Sequence, residues 1–290
     1  MTGRRKGRGV VWVAGAVAGL LLCGAALLAV RGDWRYRVWF ALTPAQADVL
    51  TPAELRGETM TQTVSEWLSD ARVTADDSLM LVNREHPLEE DYRPETETLG
   101  DWQMTAETRA AFEALRRRIE RETGERLIIR SAYRSRQEQQ EELTEEGSGV
   151  AANPGESEHE TGLAIDVCVR GYGGQSFLKS AAGRLVNRSC AEEGFVVRYP
   201  IGKEPVTGFA FEPWHLRYVG AVHAQAMQDG KLTLEEYIEQ LTPGQWFRCG
   251  DVRILRTGAG DADAVTLPTD FSSCTVSRDG CGCRIFTLLP

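Results

Sequence analysis

Ser157-Glu-His-Glu-Thr-Gly-Leu-Ala-Ile-Asp-Val167 decides the reading of this 290-residue chain. A Gly/Ala/Pro-rich stretch, residues 147–155, leads into it, and its second half alternates like a strand, so the motif straddles a loop and a strand. His159 and Asp166 stand seven residues apart, and Gly162 between them permits the sharp turn that lets a loop side chain and a strand side chain converge. A second stretch, Glu212-Pro-Trp-His215, adds another imidazole, with a carboxylate three residues before it. Two imidazoles and a carboxylate are a usual set for a catalytic zinc, which takes three protein ligands and keeps a fourth position open for water. His159, Asp166 and His215 are therefore the expected metal ligands. Glu212 is the expected general base, taking a proton from water made acidic by the metal and returning it to a leaving amine.

Working outward, the charge that grows on a tetrahedral oxygen needs a fixed donor, and Arg134 in Ser131-Ala-Tyr-Arg-Ser135 is the expected one. The bland alternatives weaken once the groups are taken together. A single histidine is most often an ordinary loop or core residue, and Arg134 has many glutamates nearby to pair with, but the two motifs together supply a complete hydrolytic set. His159-Glu160 begins the helical His-Glu-x-x-His zinc motif, yet the second histidine's position holds Leu163, so that reading fails. His86 and His223 fall outside both motifs and read as structural or solvated. The glutamates at 138, 141, 142, 145 and 146 read as the solvated face of a helix.

SEHETGLAIDV and EPWHLRYVG, preceded by SAYRS and LVNREHPL, resemble the VanY-type zinc D-alanyl-D-alanine carboxypeptidases over roughly residues 78–225. The resemblance implies zinc on His159, Asp166 and His215, with Glu212 as catalytic base. It implies that Arg134 stabilises the reacting carbonyl and that Ser157 and Gln139 lie near substrate. Tyr133 and Trp214, inside the same motifs, complete the expected substrate-binding set. Many relatives carry Gln where this chain has Glu160, a difference expected to tune substrate preference. The implied activity is a D,D-carboxypeptidase trimming terminal D-Ala from peptidoglycan stem peptides or precursors, with a bearing on wall remodelling or glycopeptide resistance. The alternatives are an L,D-carboxypeptidase acting on tetrapeptides and a non-catalytic, zinc-dependent wall-binding or sensor module. Glu212 speaks against the last, since binding needs no base.

The predicted fold is α+β: a small, mostly antiparallel sheet flanked by helices and bearing the zinc site. Residues 77–241 are the expected carboxypeptidase domain, preceded by a stalk at 31–76 and followed by a separate cysteine-rich β appendage at 242–290. Residues 10–30 form an uncharged apolar run about as long as the ~20 residues that span a bilayer. Arg4, Arg5, Lys6 and Arg8 before it predict a cytoplasmic N-terminus, residues 1–9, and an extracytoplasmic catalytic domain. A cleaved signal peptide fits less well, because the run is long and Ala-Leu-Leu-Ala is a poor cleavage site. Cys23 follows Leu22 rather than the small residue a lipoprotein site requires. Beyond Arg37 the chain holds 26 basic and 41 acidic residues, a net charge near −15 that argues against nucleic acid as a partner. Six cysteines lie outside the apolar run, and an even number in an oxidising compartment predicts disulfides, Cys168 with Cys190 among them. A four-thiolate zinc site in the tail is the competing reading, but its spacings do not match paired Cys-x-x-Cys knuckles.

Overall fold

The structure, a computed structural model, describes residues 34–147 and 151–290. The apolar run at 10–30 lies outside the described residues, and among the described residues no helix is long and apolar enough to cross a membrane. The chain divides into two units. Of the first, Met1–Pro44, the structure describes helix α1 (Trp34–Leu42). The second, Ala45–Pro290, holds everything discussed below.

Its strands, in chain order, are β1 (Thr51–Ala53), β2 (Thr59–Thr63), β3 (Val73–Asp76), β4 (Glu97–Leu99), β5 (Trp102–Met104), β6 (Ile128–Ser131), β7 (Ala164–Cys168), β8 (Phe195–Val197) and β9 (His215–Tyr218). They continue with β10 (Trp246–Cys249), β11 (Val252–Thr257), β12 (Ala264–Pro268), β13 (Ser273–Arg278) and β14 (Arg284–Leu289). The helices after α1 are α2 (Val64–Trp67), α3 (Ala106–Thr123), α4 (Arg136–Glu146), α5 (Ala181–Ser189), α6 (Glu204–Thr207), α7 (Ala221–Gly230) and α8 (Leu234–Gln240).

The catalytic half is built on a four-stranded antiparallel sheet, β6-β7-β9-β8, as the sequence predicts. Helix α3 starts where the Thr105 hydroxyl accepts from the Thr108 N–H and stops at left-handed Gly124. Phe112, Leu115 and Ile119 of α3 pack with Ile129, Ile165, Val167, Val186 and Leu216 into one fully buried cluster against the sheet. Ser135 and Glu138 form a reciprocal cap at the start of α4, of which Gln139 is the buried residue, so its glutamates do face solvent. Residues 209–214, just before β9, are not strand: Pro213 removes a donor, and the chain turns there until His215.

The tail and the lead-in depart from expectation. Strands β10, β11, β14 and β13 join β1 and β3 in a single six-stranded sheet, order β1-β10-β11-β14-β13-β3, antiparallel except where β3 meets β13. The supposed stalk thus supplies both outer strands of the sheet that the tail builds. Alternation places Phe247, Ile254 and Ile285 on one face, in a cluster with Val219, Met227, Tyr237 and Leu241. Trp246, Leu255 and Phe286 take the other face, with Trp67, Val265 and Phe271. A sheet buried on both sides cannot stand as an appendage, because its apolar strands need the helices that follow β9 and the segment around α2.

The expected disulfides are absent: all six described cysteines are free thiols. Cys190 is a small apolar core group among the residues around α5, and burial pushes its thiol up to about 12. Cys281 and Cys283 shape the β13–β14 turn instead, their N–H groups donating to Asp279 Oδ1 at 2.7 and 2.9 Å.

Candidate active site

Strand pairing explains how residues 49 positions apart meet. In the antiparallel register of β7 and β9, Asp166 lies directly opposite His215, with Ile165 opposite Leu216 behind them. His159 arrives from a short helical turn, Glu158–Thr161, in which its own N–H is met by the Ser157 hydroxyl. Gly162 ends that turn at φ 70°, in the left-handed region, and swings the chain into β7. A side chain there would crowd the Thr105 backbone, 3.3 Å from the position of a Cβ.

One ligand atom from each of His159, Asp166 and His215 lies within 4.8 Å of the others. His159 Nδ1 is 2.7 Å from the Ala132 carbonyl, which only accepts, so that nitrogen carries the proton and Nε2 turns its lone pair toward Asp166, 3.5 Å away. His215 Nδ1 stands 3.0 Å from Asp166 Oδ1, yet off the angle a hydrogen bond needs, and Oδ1 is left buried without a partner. The two imidazoles meet edge to face at 5.0 Å. Two buried imidazoles gathered with a half-buried carboxylate, one oxygen of which is unsatisfied, is an arrangement that suits a divalent cation. The donor set fits zinc.

The electrostatics agree. Burial holds the His159 pKa below its usual value, as a neutral ligand requires. Burial alone would raise Asp166, but the two histidines outweigh it and keep the carboxylate ionised. His215 is raised to about 9 against burial by Asp166 and Glu158, whose carboxylates favour positive charge between them. Glu212 Oε2 sits 4.0 Å from His215 Nδ1, and burial lifts its pKa, with His215 opposing and Asp166 adding to the rise. A carboxylate poised in this way accepts protons more readily than an exposed glutamate.

The other expected residues separate into two groups. Arg134 borders the site: its N–H donates to the His159 carbonyl, Nη1 pairs with Glu142 at 2.9 Å, and Nε is buried without a partner. The bland reading of this arginine, a pairing with a nearby glutamate, is thus met, and its Nε is left over beside the site. Trp214 and Asp166 line a cavity of about 640 Å³, and Glu212 lines a cleft of about 960 Å³. Tyr133 is half-buried, its N–H donating to the Gln103 carbonyl. Ser157 caps the turn, and Gln139 is buried with Nε2 donating to the Ala152 carbonyl, so both shape the loops around the site. Glu160 is likewise committed, accepting from the Gly155 N–H at 2.6 Å and facing Arg136 at 3.3 Å. That geometry makes Glu160 a clamp on the loop before the motif.

Sequence reasoning missed Glu158, Arg198, Arg217 and Glu235. These four form a buried charge network behind His215, and nothing in their spacing along the chain brings them together.

Residues 101–221 match the family VanY: D-alanyl-D-alanine carboxypeptidase. The chain is 36% identical over 182 residues to the bifunctional D-Ala-D-Ala dipeptidase and D-Ala-D-Ala carboxypeptidase VanXYC of Enterococcus gallinarum, covering 57% of this chain and 95% of that one. A crystal structure of a variant of the vancomycin resistance D,D-pentapeptidase VanY, from a VanB-type cassette and in complex with Zn(II), aligns with TM-score 0.51 at 31% identity. That alignment covers 56% of this chain and 98% of the other. The LdcB LD-carboxypeptidase structure aligns equally well, with TM-score 0.51 and 35% identity over 56% of this chain and 86% of that one. With its site on the same fold and its sequence related along nearly the whole of a curated relative, the chain belongs to the VanY family of D-alanyl-D-alanine carboxypeptidases and is an enzyme of that class.

Proposed function

We propose that this enzyme is a zinc-dependent D,D-carboxypeptidase that removes the terminal D-Ala from peptidoglycan stem peptides or their precursors. The observation that carries the proposal is the convergence of His159, Asp166 and His215 within 4.8 Å, with Glu212 beside them. Zinc held by His159 Nε2, His215 Nδ1 and Asp166 would polarise the scissile carbonyl and draw the pKa of water toward ~7. Glu212 takes the proton from the attacking water, a step its raised pKa favours, and carries it to the departing D-Ala amine. Arg134, with Nε buried and uncommitted, donates to the oxygen on which negative charge develops. The cavities lined by Trp214 with Asp166 and by Glu212 offer room for the peptide next to these residues.

Residues 10–30 anchor the chain in this proposal, with the basic N-terminus inside and catalysis on the outer face, where stem peptides are exposed. Loss of the terminal D-Ala would also remove the target of glycopeptide antibiotics. The likeness to an LD-carboxypeptidase supports a second reading, cleavage of the tetrapeptide. Membership in an enzyme family sets the non-catalytic alternative aside.

The test is release of free D-Ala from a synthetic pentapeptide ending in D-Ala-D-Ala, compared with the tetrapeptide, with and without a chelator. Chelator-sensitive release from the pentapeptide is expected. Release from the tetrapeptide alone would favour the L,D reading, and release from neither would overturn both.

A further inference from the structure

Glu158 immediately precedes His159, yet its side chain is cut off from solvent. Its Oε1 accepts from Arg198 Nε and from Arg217 Nη1, each at 2.7 Å. Arg198 continues to Glu235 with two bonds of 2.8 and 2.6 Å. Arg217 continues to the carbonyls of Ser78 and Met80, at 3.1 and 2.8 Å. Two arginines thus face two glutamates, and one oxygen of Glu158 satisfies both cations on its side of the network. The other oxygen, Oε2, is buried and has no partner. Across from it, 3.6 Å away, is His215 Nε2, also buried and without a partner. The pair sits roughly half an ångström beyond ordinary hydrogen-bond length, a gap that a small rotation of either side chain closes.

We infer that Glu158 is a positioning residue for the metal: it receives the Nε2–H of His215 and so reserves Nδ1, the nitrogen facing Asp166, for coordination. The inference rests on the zinc reading proposed above. The chemistry requires a partner of this kind, because a neutral imidazole has one N–H, and a buried acceptor beside one nitrogen fixes which nitrogen keeps its lone pair. His159 uses the Ala132 carbonyl for the same purpose. The difference at His215 is that its orienting group is itself held by arginines tied to residues 78, 80 and 235, all outside the matched family segment 101–221. The frame around this acceptor thus draws on residues outside that matched stretch.

Glu158→Gln in the full-length chain is the test. The amide keeps an oxygen for the arginines but turns N–H donors toward Nε2, favouring the tautomer with its proton on Nδ1. Zinc affinity, measured by competition with a chromogenic chelator, is expected to fall about 10–100-fold. Glu235→Gln neutralises the outer end of the same network and is expected to leave affinity within about threefold of the parent. In zinc-loaded parent protein labelled with 15N on its four histidines, the Nε2–H of His215 is expected as a slowly exchanging, downfield signal. That signal decides the question even if Glu158→Gln does not fold. Absence of the signal, unchanged zinc affinity in Glu158→Gln, or equal losses in both variants would overturn the inference while leaving the zinc reading intact. A parent protein that takes up no zinc would overturn both.

Discussion

Acid should weaken this fold through His223. Its ring is buried in α7, with Nδ1 2.7 Å from the Tyr237 hydroxyl on α8 and Nε2 3.0 Å from the Thr287 hydroxyl on β14. Two hydroxyls serve a neutral imidazole well, one accepting and one donating, and offer no countercharge to a protonated ring. Burial accordingly lowers its pKa from 6.5 to about 4. The unfolded chain takes up a proton near pH 6.5 that the folded protein refuses until about pH 4. The stabilising contribution is therefore complete above pH 6.5, declines as the pH falls, and is gone below about 4. That interval, at ~1.36 kcal/mol per pH unit, sets a loss of roughly 3 kcal/mol. Urea unfolding at pH values from 7.5 down to 4, on the parent and on His223→Gln, measures it. The carboxylates titrate alike in both proteins, so the difference between the two curves isolates the histidine. The variant should show a flatter dependence across this range. Parallel curves would refute the reasoning.

Two further outcomes follow from the same geometry. Glu212→Gln should retain zinc, because the side chain is not among the ligands, while kcat for D-Ala release falls by about 10²–10⁴-fold; undiminished turnover would remove Glu212 from the mechanism. Ending the chain at Leu241 should abolish soluble expression of the catalytic half. It strips β10–β14 and uncovers Val219, Tyr237 and Leu241, side chains worth roughly 1.5–3 kcal/mol each when buried, and a folded, active truncation would show that the two halves are independent.

The residues of the candidate site lie in two short motifs, and so their clustering could be read from the sequence. His159, Gly162 and Asp166 lie within eight positions and Glu212 within three of His215, since turn geometry and strand pairing demand those residue types at those spacings. The α+β class and the antiparallel sheet under the site also followed from local pattern. Other features depended on contacts between distant segments. Whether β10–β14 stand alone was decided by pairing with β1 and β3 from the lead-in, a register no local pattern specifies. The cysteines, counted correctly, were assigned by compartment, whereas packing made Cys190 a core residue and placed Cys281 and Cys283 at a turn. Ser157, Gln139 and Glu160 carry polar groups that suit a binding site, and each also bonds neighbouring backbone, a second use that only the folded chain reveals. The charges behind His215 are the clearest case. Glu158, Arg198, Arg217 and Glu235 are unremarkable as letters, and only burial, which makes each charge costly until the others surround it, turns them into one network behind His215.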